Sequence, residues 1–216
     1  MFIRKAMVMA LPVLATLTAL PDTAAAQAAA STDKADAASV IQAVRGSIGK
    51  EFPTRVRVTA GGSGYAPGGD PASQRHYRIA SYVQELDVVK WTATERLDRV
   101  ETAEDGNGSP ESEEKSANAT APWPEQHVIW VNPLGFLTQA AARPVTLASE
   151  TVLGTPYRVL TFTTPDGHTV RGYVTHDNVL ERATTKVGDL QVESVFMEWQ
   201  DFDGTKYPSL IIEKTN

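Results

Sequence analysis

The stretch MEWQDFDGTKYP, Met197–Pro208, contains the turn that decides the fold. Asp203-Gly204 separates two runs, EWQDF and TKYPSLIIEK, that are rich in aromatic and aliphatic residues. An Asp-Gly pair favours a two-residue hairpin turn, because glycine adopts positive φ freely and aspartate does so better than most residues. A calcium loop would need further oxygen ligands at alternating positions and a distal glutamate, but TKY follows the glycine. We therefore predict a β-hairpin and no metal site.

Two similar turns precede this one. Asp166-Gly167 separates YRVLTFTT from TVRGYVT, and Gly188-Asp189 separates VLERATTKV from LQVESVFMEWQDF. Three consecutive hairpins predict an antiparallel meander of five strands. Upstream, TRVRVTA predicts a strand, and the β-branched and aromatic segment His76–Val100 predicts two strands or one bent strand. The predicted class is mainly β (α+β), with a large curved antiparallel sheet, or half-barrel, covered by one or two helices.

Two segments favour helices. Apolar residues spaced as on one helix face, from Ala38 to Ile48, predict a short helix that Pro53 ends. In NPLGFLTQAAA, Asn132 occupies a natural N-cap position and Pro133 follows it, which predicts a second helix.

The segments between these elements are predicted from composition. HVIWV, residues 127–131, is β-branched and aromatic and predicts a short strand. GGSGYAPGGD, residues 61–70, predicts a loop. Residues 101–124 are acidic and rich in glycine, serine and proline without any periodicity, which predicts a mobile surface loop.

The N-terminal residues have the pattern of a secretory signal peptide. MFIRK is positively charged, the apolar run that follows is too short for a membrane span and contains Pro12, and Ala24-Ala25-Ala26 suits cleavage. We predict a signal peptide over residues 1–26, a flexible start over 27–34 and a single β-rich domain over 35–216. The expected location is the periplasm or the extracellular space.

Composition excludes several kinds of partner and site. The formal net charge is -6 and no stretch is dense in lysine and arginine, so we expect no nucleic-acid partner. The chain contains no cysteine, which excludes disulfides, thiolate metal sites and a lipid anchor on cysteine. We therefore expect no stable membrane anchor.

No catalytic motif is complete. The four histidines include no closely spaced pair of the kind that a zinc hydrolase needs. GGSGY lacks the final glycine of a nucleophile elbow, and GSIGKEF lacks the spacing of a phosphate-binding loop. Glu198 and Asp201 are three residues apart and would face opposite sides of a strand. We predict that the protein is not an enzyme and uses no cofactor or metal.

The last half of the chain resembles two kinds of exported protein. IWVNPLGFLTQAAA, YRVLTFTT, NVLERATTKV and MEWQDFDGTKYPSLIIEK resemble the N-terminal domain that precedes the zinc-hydrolase domain in certain bacterial metallo-β-lactamase-fold proteins. The closing pattern, aromatic-x-Asp-Phe-x-Gly-x-Lys-aromatic-Pro, is also similar to the last hairpin of periplasmic lipoprotein carriers. The resemblance covers about residues 128–214, and more loosely 55–100. It implies a curved sheet closing around a helix, which holds an acyl chain or docks a neighbouring domain.

These observations predict an exported, non-catalytic domain that binds a lipid or other apolar ligand on the concave face of the sheet. Side chains of this size also form ordinary cores, so the same residues suit both roles. The alternative is an interaction module for a metallo-β-lactamase-fold hydrolase whose catalytic domain is absent from this chain; a third is a hydrolase whose catalytic groups the sequence hides. The predicted ligand-binding residues are Tyr82, Leu86, Trp91, Trp130, Phe162, Met197 and Trp199.

Overall fold

The computed structural model of the chain describes residues 36–65, 76–101 and 110–215. The predicted signal peptide and flexible start lie outside the described residues. The described helices are α1 (Ala37–Ile48), α2 (Trp123–Trp130) and α3 (Pro133–Ala142). The strands are β1 (Arg55–Tyr65), β2 (His76–Asp87), β3 (Thr92–Glu101), β4 (Pro110–Ala117), β5 (Thr146–Val152), β6 (Thr155–Thr163), β7 (Thr169–Val174), β8 (Leu180–Val187), β9 (Leu190–Phe202) and β10 (Thr205–Thr215). The predicted mainly β (α+β) class is confirmed.

The strands form two antiparallel sheets where one large sheet was predicted. β1 to β4 form a four-stranded sheet in chain order, and β5 to β10 form a six-stranded meander. The break falls where α2 and α3 interrupt the chain between β4 and β5, so these two strands enter different sheets. Neither sheet closes into a barrel among the described strands.

The three predicted hairpins are confirmed. Asp203 and Gly204 both have positive φ, 55° and 83°, as a type I′ turn requires. The Asp201 carboxylate oxygen Oδ1 accepts a hydrogen bond from the Gly204 N–H at 2.7 Å, which fixes the turn. Gly188 has positive φ at the first central position of its turn, and Gly167 has positive φ in the loop between β6 and β7. The DFDG segment is therefore a turn.

The meander contains a sixth strand that the sequence did not reveal. β5 pairs with β6 through a turn at Leu153 and Gly154, both with positive φ. Leu153 is 98% exposed there. Leucine rarely has a positive φ, so its presence at the first central position does not identify a hairpin turn in the sequence.

HVIWV is helical, and the prediction of a strand there was wrong. Its first four residues form the end of α2, and Val131 is the C-cap. The buried residues of α2, Gln126, Ile129 and Trp130, have the spacing of one helix face. Pro124 lies in the first turn of α2, a position that a helix tolerates. Burial against the core overrides the β-propensity of the valine and isoleucine.

The predicted acidic loop over 101–124 was partly wrong. Residues 110–117 form β4, which pairs along its whole length with β3. Ion pairs replace apolar contacts: Arg99 Nε lies 3.0 Å from Glu111 Oε2. Residues 102–109 lie outside the described residues. The predicted loop over 61–70 was also too long, because β1 continues to Tyr65.

One hydrophobic core joins both sheets and all three helices. Val44 contributes from α1, Val58 from β1, Leu137 from α3 and Ile211 from β10. The predicted helices from Ala38 to Ile48 and after Asn132 are confirmed. None of the described helices is long and apolar enough to cross a membrane.

Helix α3 approaches the six-stranded sheet at a glycine. A Cβ atom at Gly172 of β7 would overlap the ring of Phe136, which is fully buried. At Gly46 of α1, by contrast, an added Cβ would meet nothing within 4 Å.

We expect Gly172→Ala to lower the free energy of unfolding by about 1–3 kcal/mol, because Phe136 must leave its packed position. Gly46→Ala is the matched control and should raise stability by up to about 1 kcal/mol, since it removes a flexible residue from a helix. Urea unfolding followed by circular dichroism measures both changes. Equal stability of wild type and Gly172→Ala would contradict the close packing.

Candidate functional site

Most of the predicted ligand-binding residues lie inside the packed core. Met197 is 42% exposed, and Trp199 is half-buried against the core. The remaining five are each at most 8% exposed and belong to the core cluster: Tyr82, Leu86, Trp91, Trp130 and Phe162.

The structure brings three of them together as an aromatic cluster. The rings of Trp91 and Trp130 meet edge to face with centroids 4.7 Å apart, and Trp130 lies 6.1 Å from Phe162. Phe136 of α3 extends the cluster, 5.3 Å from Phe162. At its outer end Trp123 stacks on His168 at 4.0 Å. These aromatic rings pack on one another, so they form a core rather than the wall of an open pocket.

A small polar cavity lies between the two sheets and the junction of α2 and α3. Its volume is about 20 Å³, which is room for one water molecule. Apolar walls come from β1, β9, β10 and α2. The polar residues that line it are Tyr82, Gln84, Asn132, Ser194 and Glu213.

Asn132 links this cavity to the C-terminal strand. Its Oδ1 accepts a hydrogen bond from the Leu134 N–H at 3.0 Å, as an N-cap does, while its Nδ2 donates to the Tyr207 hydroxyl at 2.9 Å. One side chain therefore both starts α3 and fixes β10. The N-cap was predicted from sequence, but its second partner, 75 residues away, was not.

Burial controls the ionisable groups around the cavity. It raises the pKa of Tyr82 well above its ordinary value, and the neighbouring Glu95 carboxylate raises it further. Burial raises the pKa of Tyr207 as well. It lowers the pKa of His127, whose Nδ1–H donates to the Pro124 carbonyl oxygen at 2.9 Å. Burial therefore favours the uncharged form of both phenols and of the imidazole.

A larger groove opens where the two sheets part. It has a volume of about 480 Å³ and lies between the start of β1 and the hairpin of β9 and β10. No strand of one sheet is hydrogen-bonded to a strand of the other along the described strands, so β1 and β10 are both edges. The residues that line the groove are Pro53, Arg55, Val56, Arg57, Thr59, Phe202, Thr205 and Tyr207.

None of the predicted ligand-binding residues lines this groove. A single sequence does not show which sheet edges face each other, because β1 and β10 are separated by almost the whole chain. One signal was present: Tyr207 and Phe202 belong to the closing pattern that resembles the last hairpin of lipoprotein carriers.

The described residues include no group of three or more histidine, aspartate or glutamate side chains placed to hold a metal ion. The Asp201 carboxylate accepts the hydrogen bond from the Gly204 N–H in the β9–β10 turn. Glu198 has a positive φ, and its backbone carbonyl oxygen accepts a hydrogen bond from the Ser209 hydroxyl.

No protein-family model, curated protein or solved structure matches this chain. The resemblance to the hydrolase-associated domain and to lipoprotein carriers therefore stays a prediction.

The buried phenols predict a loss of stability in alkali. Since burial raises the pKa of Tyr82 and Tyr207 in the folded state, the unfolded chain releases these protons first. Their stabilising effect is complete below about pH 10 and is lost as the pH rises beyond it. Urea unfolding between pH 8 and 11 should show a shallower decline in the Tyr82→Phe/Tyr207→Phe variant than in wild type. Identical slopes would contradict the burial of these hydroxyls.

Proposed function

We propose that this protein is an exported, non-catalytic binding protein for a lipid or another apolar small molecule, and that the molecule binds in the groove between β1 and β10. The observation that carries the proposal is the groove itself. Its volume of about 480 Å³ is in the range of small-molecule sites in proteins. The signal-peptide pattern of residues 1–26 supports export.

The groove suits a ligand better than the predicted wall does. A molecule among Trp91, Trp130 and Phe162 would have to displace rings that already contact one another. The polar cavity beside Asn132 has room for a water molecule only. A ligand in the groove would displace no packed ring and would not need the small cavity to expand.

The lining of the groove is amphipathic. Phe202 and Val56, both half-buried, provide aromatic and apolar surface. Thr59 and Thr205 add hydroxyl groups. A ligand with an apolar body would bury surface against the first set and keep a polar end near the second.

A neutral fluorescent probe, N-phenyl-1-naphthylamine, tests the proposal. We expect its emission to rise on binding to the mature protein. Thr59→Trp should fill the groove and weaken binding at least about tenfold, because the indole occupies the space of the ligand. Thr161→Trp is the matched control, since Thr161 is also a half-buried strand threonine but lies in β6, outside the groove. Fluorescence titration measures the dissociation constants.

Two outcomes would overturn the proposal: no binding of the probe to wild type, or equal weakening by both substitutions. Native mass spectrometry of protein purified gently from the periplasm provides a second readout. Adducts with lipid-like masses, reduced by Thr59→Trp and retained by Thr161→Trp, support the groove. A clean mass together with no probe binding would favour the alternative, an interaction module for a hydrolase.

A further inference from the structure

We infer that the ligand is an amphiphile with an anionic head group, and that Arg57 binds this head group. The inference rests on the proposed function and adds the chemical class of the ligand. It is drawn from the charges along the groove and from the ion pairs that hold them.

The charged residues that line the groove are two arginines, and no acidic residue lines it. Arg55 and Arg57 line it, and none of the other lining residues is charged. Alternate residues of a strand point to the same side, so the two arginines follow one another along the edge strand at about 7 Å. This arrangement places guanidinium groups, which bind anions, along the β1 side of the groove.

Arg55 is already committed to a fixed partner. Its Nε lies 3.1 Å from the Asp87 carboxylate oxygen Oδ2, and the Asp87 side chain is only 11% exposed. The N–H groups of Lys90 and Val89 donate to the same carboxylate at 2.8 and 3.1 Å and hold its pKa below the usual range. Arg55 is therefore neutralised by a carboxylate that the β2–β3 turn keeps in place.

Arg57 is the more available cation. Its partner Glu85 is 3.4 Å away, and the two side chains are 68% and 57% exposed. An ion pair exposed to this degree contributes little, so an incoming anion competes with it at small cost. The planar guanidinium can then donate two parallel hydrogen bonds to a carboxylate or a phosphate.

The end of α1 lies beside the groove. Gly49, at the C-cap of α1, bridges to Thr205 of the groove. The carbonyl groups at a helix C-terminus carry partial negative charge and disfavour an anion beside them. Since Thr205 pairs with Phe202 across the β9–β10 turn, Phe202 lies at this end of the groove, so the apolar tail is expected there and the head group near Arg57.

Displacement of N-phenyl-1-naphthylamine by decanoate and by decanol tests the inference at pH 7.5. The two competitors share a chain length and differ in charge. We expect decanoate to bind more tightly than decanol to wild type. Arg57→Gln should weaken decanoate about tenfold, the loss expected for a charge-assisted contact, and leave decanol unchanged. Arg96→Gln is the control, because Arg96 is an exposed, ion-paired arginine of the same sheet outside the groove.

The outcomes separate the inference from the proposed function. If the probe binds but decanoate and decanol compete equally, or if Arg57→Gln affects both alike, the inference of an anionic head group is wrong. The proposal of an apolar binding site is then unaffected. If the probe does not bind, the proposal that the groove is a ligand site is wrong.

Decyl phosphate and inorganic phosphate distinguish a lipid-like ligand from a free anion. Competition by inorganic phosphate at the concentration that suffices for decyl phosphate would overturn the requirement for an apolar tail.

Discussion

The corner between α2 and α3 is the constraint on which the fold depends. Along the described strands no hydrogen-bonded pairing joins the two sheets, so packing in the core that they share with the helices holds them together. A Cβ atom at Gly135 would overlap the Ile129 carbonyl oxygen, which shows how closely α3 follows α2. The first half of α3 is buried throughout. Asn132 stands at the centre of this corner, where it caps α3 and fixes Tyr207 of β10.

The sequence predicts the local features of this fold much better than it predicts how the strands are divided between two sheets. Asp203-Gly204 and Gly188-Asp189 identify their turns because positive φ restricts the residues that fit. The turn at Leu153 is not predicted because leucine rarely has a positive φ. The turn tolerates it because the leucine side chain is exposed and a glycine follows it. HVIWV becomes helical because the core requires a helix face there, and β4 forms with charged residues because β3 supplies opposite charges. These last two outcomes depend on tertiary partners that no local pattern contains.

The candidate site shows the same limit. Large apolar side chains such as Trp91 and Phe162 line pockets and fill cores with the same residue types, and only the packing distances separate the two roles. The prediction found residues that lie near one another in space, Trp91, Trp130 and Phe162, but they contact one another. The groove is lined by Arg57 and Phe202, residues far apart in the chain that come together only because the edges of two sheets lie side by side.

The groove follows from the way these edges avoid pairing. Hydrogen bonding between β1 and β10 would close the groove, and each of these edge strands has features that oppose such pairing. Pro208 lacks the N–H that a ladder needs, and the register of β1 shifts at a bulge between Ala60 and Gly62. Arg57 adds charge to the β1 edge. Such features protect an edge strand from aggregation, and here they also keep a space open beside an aromatic surface. Under the proposed function, the charge of Arg57 would serve twice: it opposes pairing of the β1 edge, and it would bind the head group of an anionic ligand.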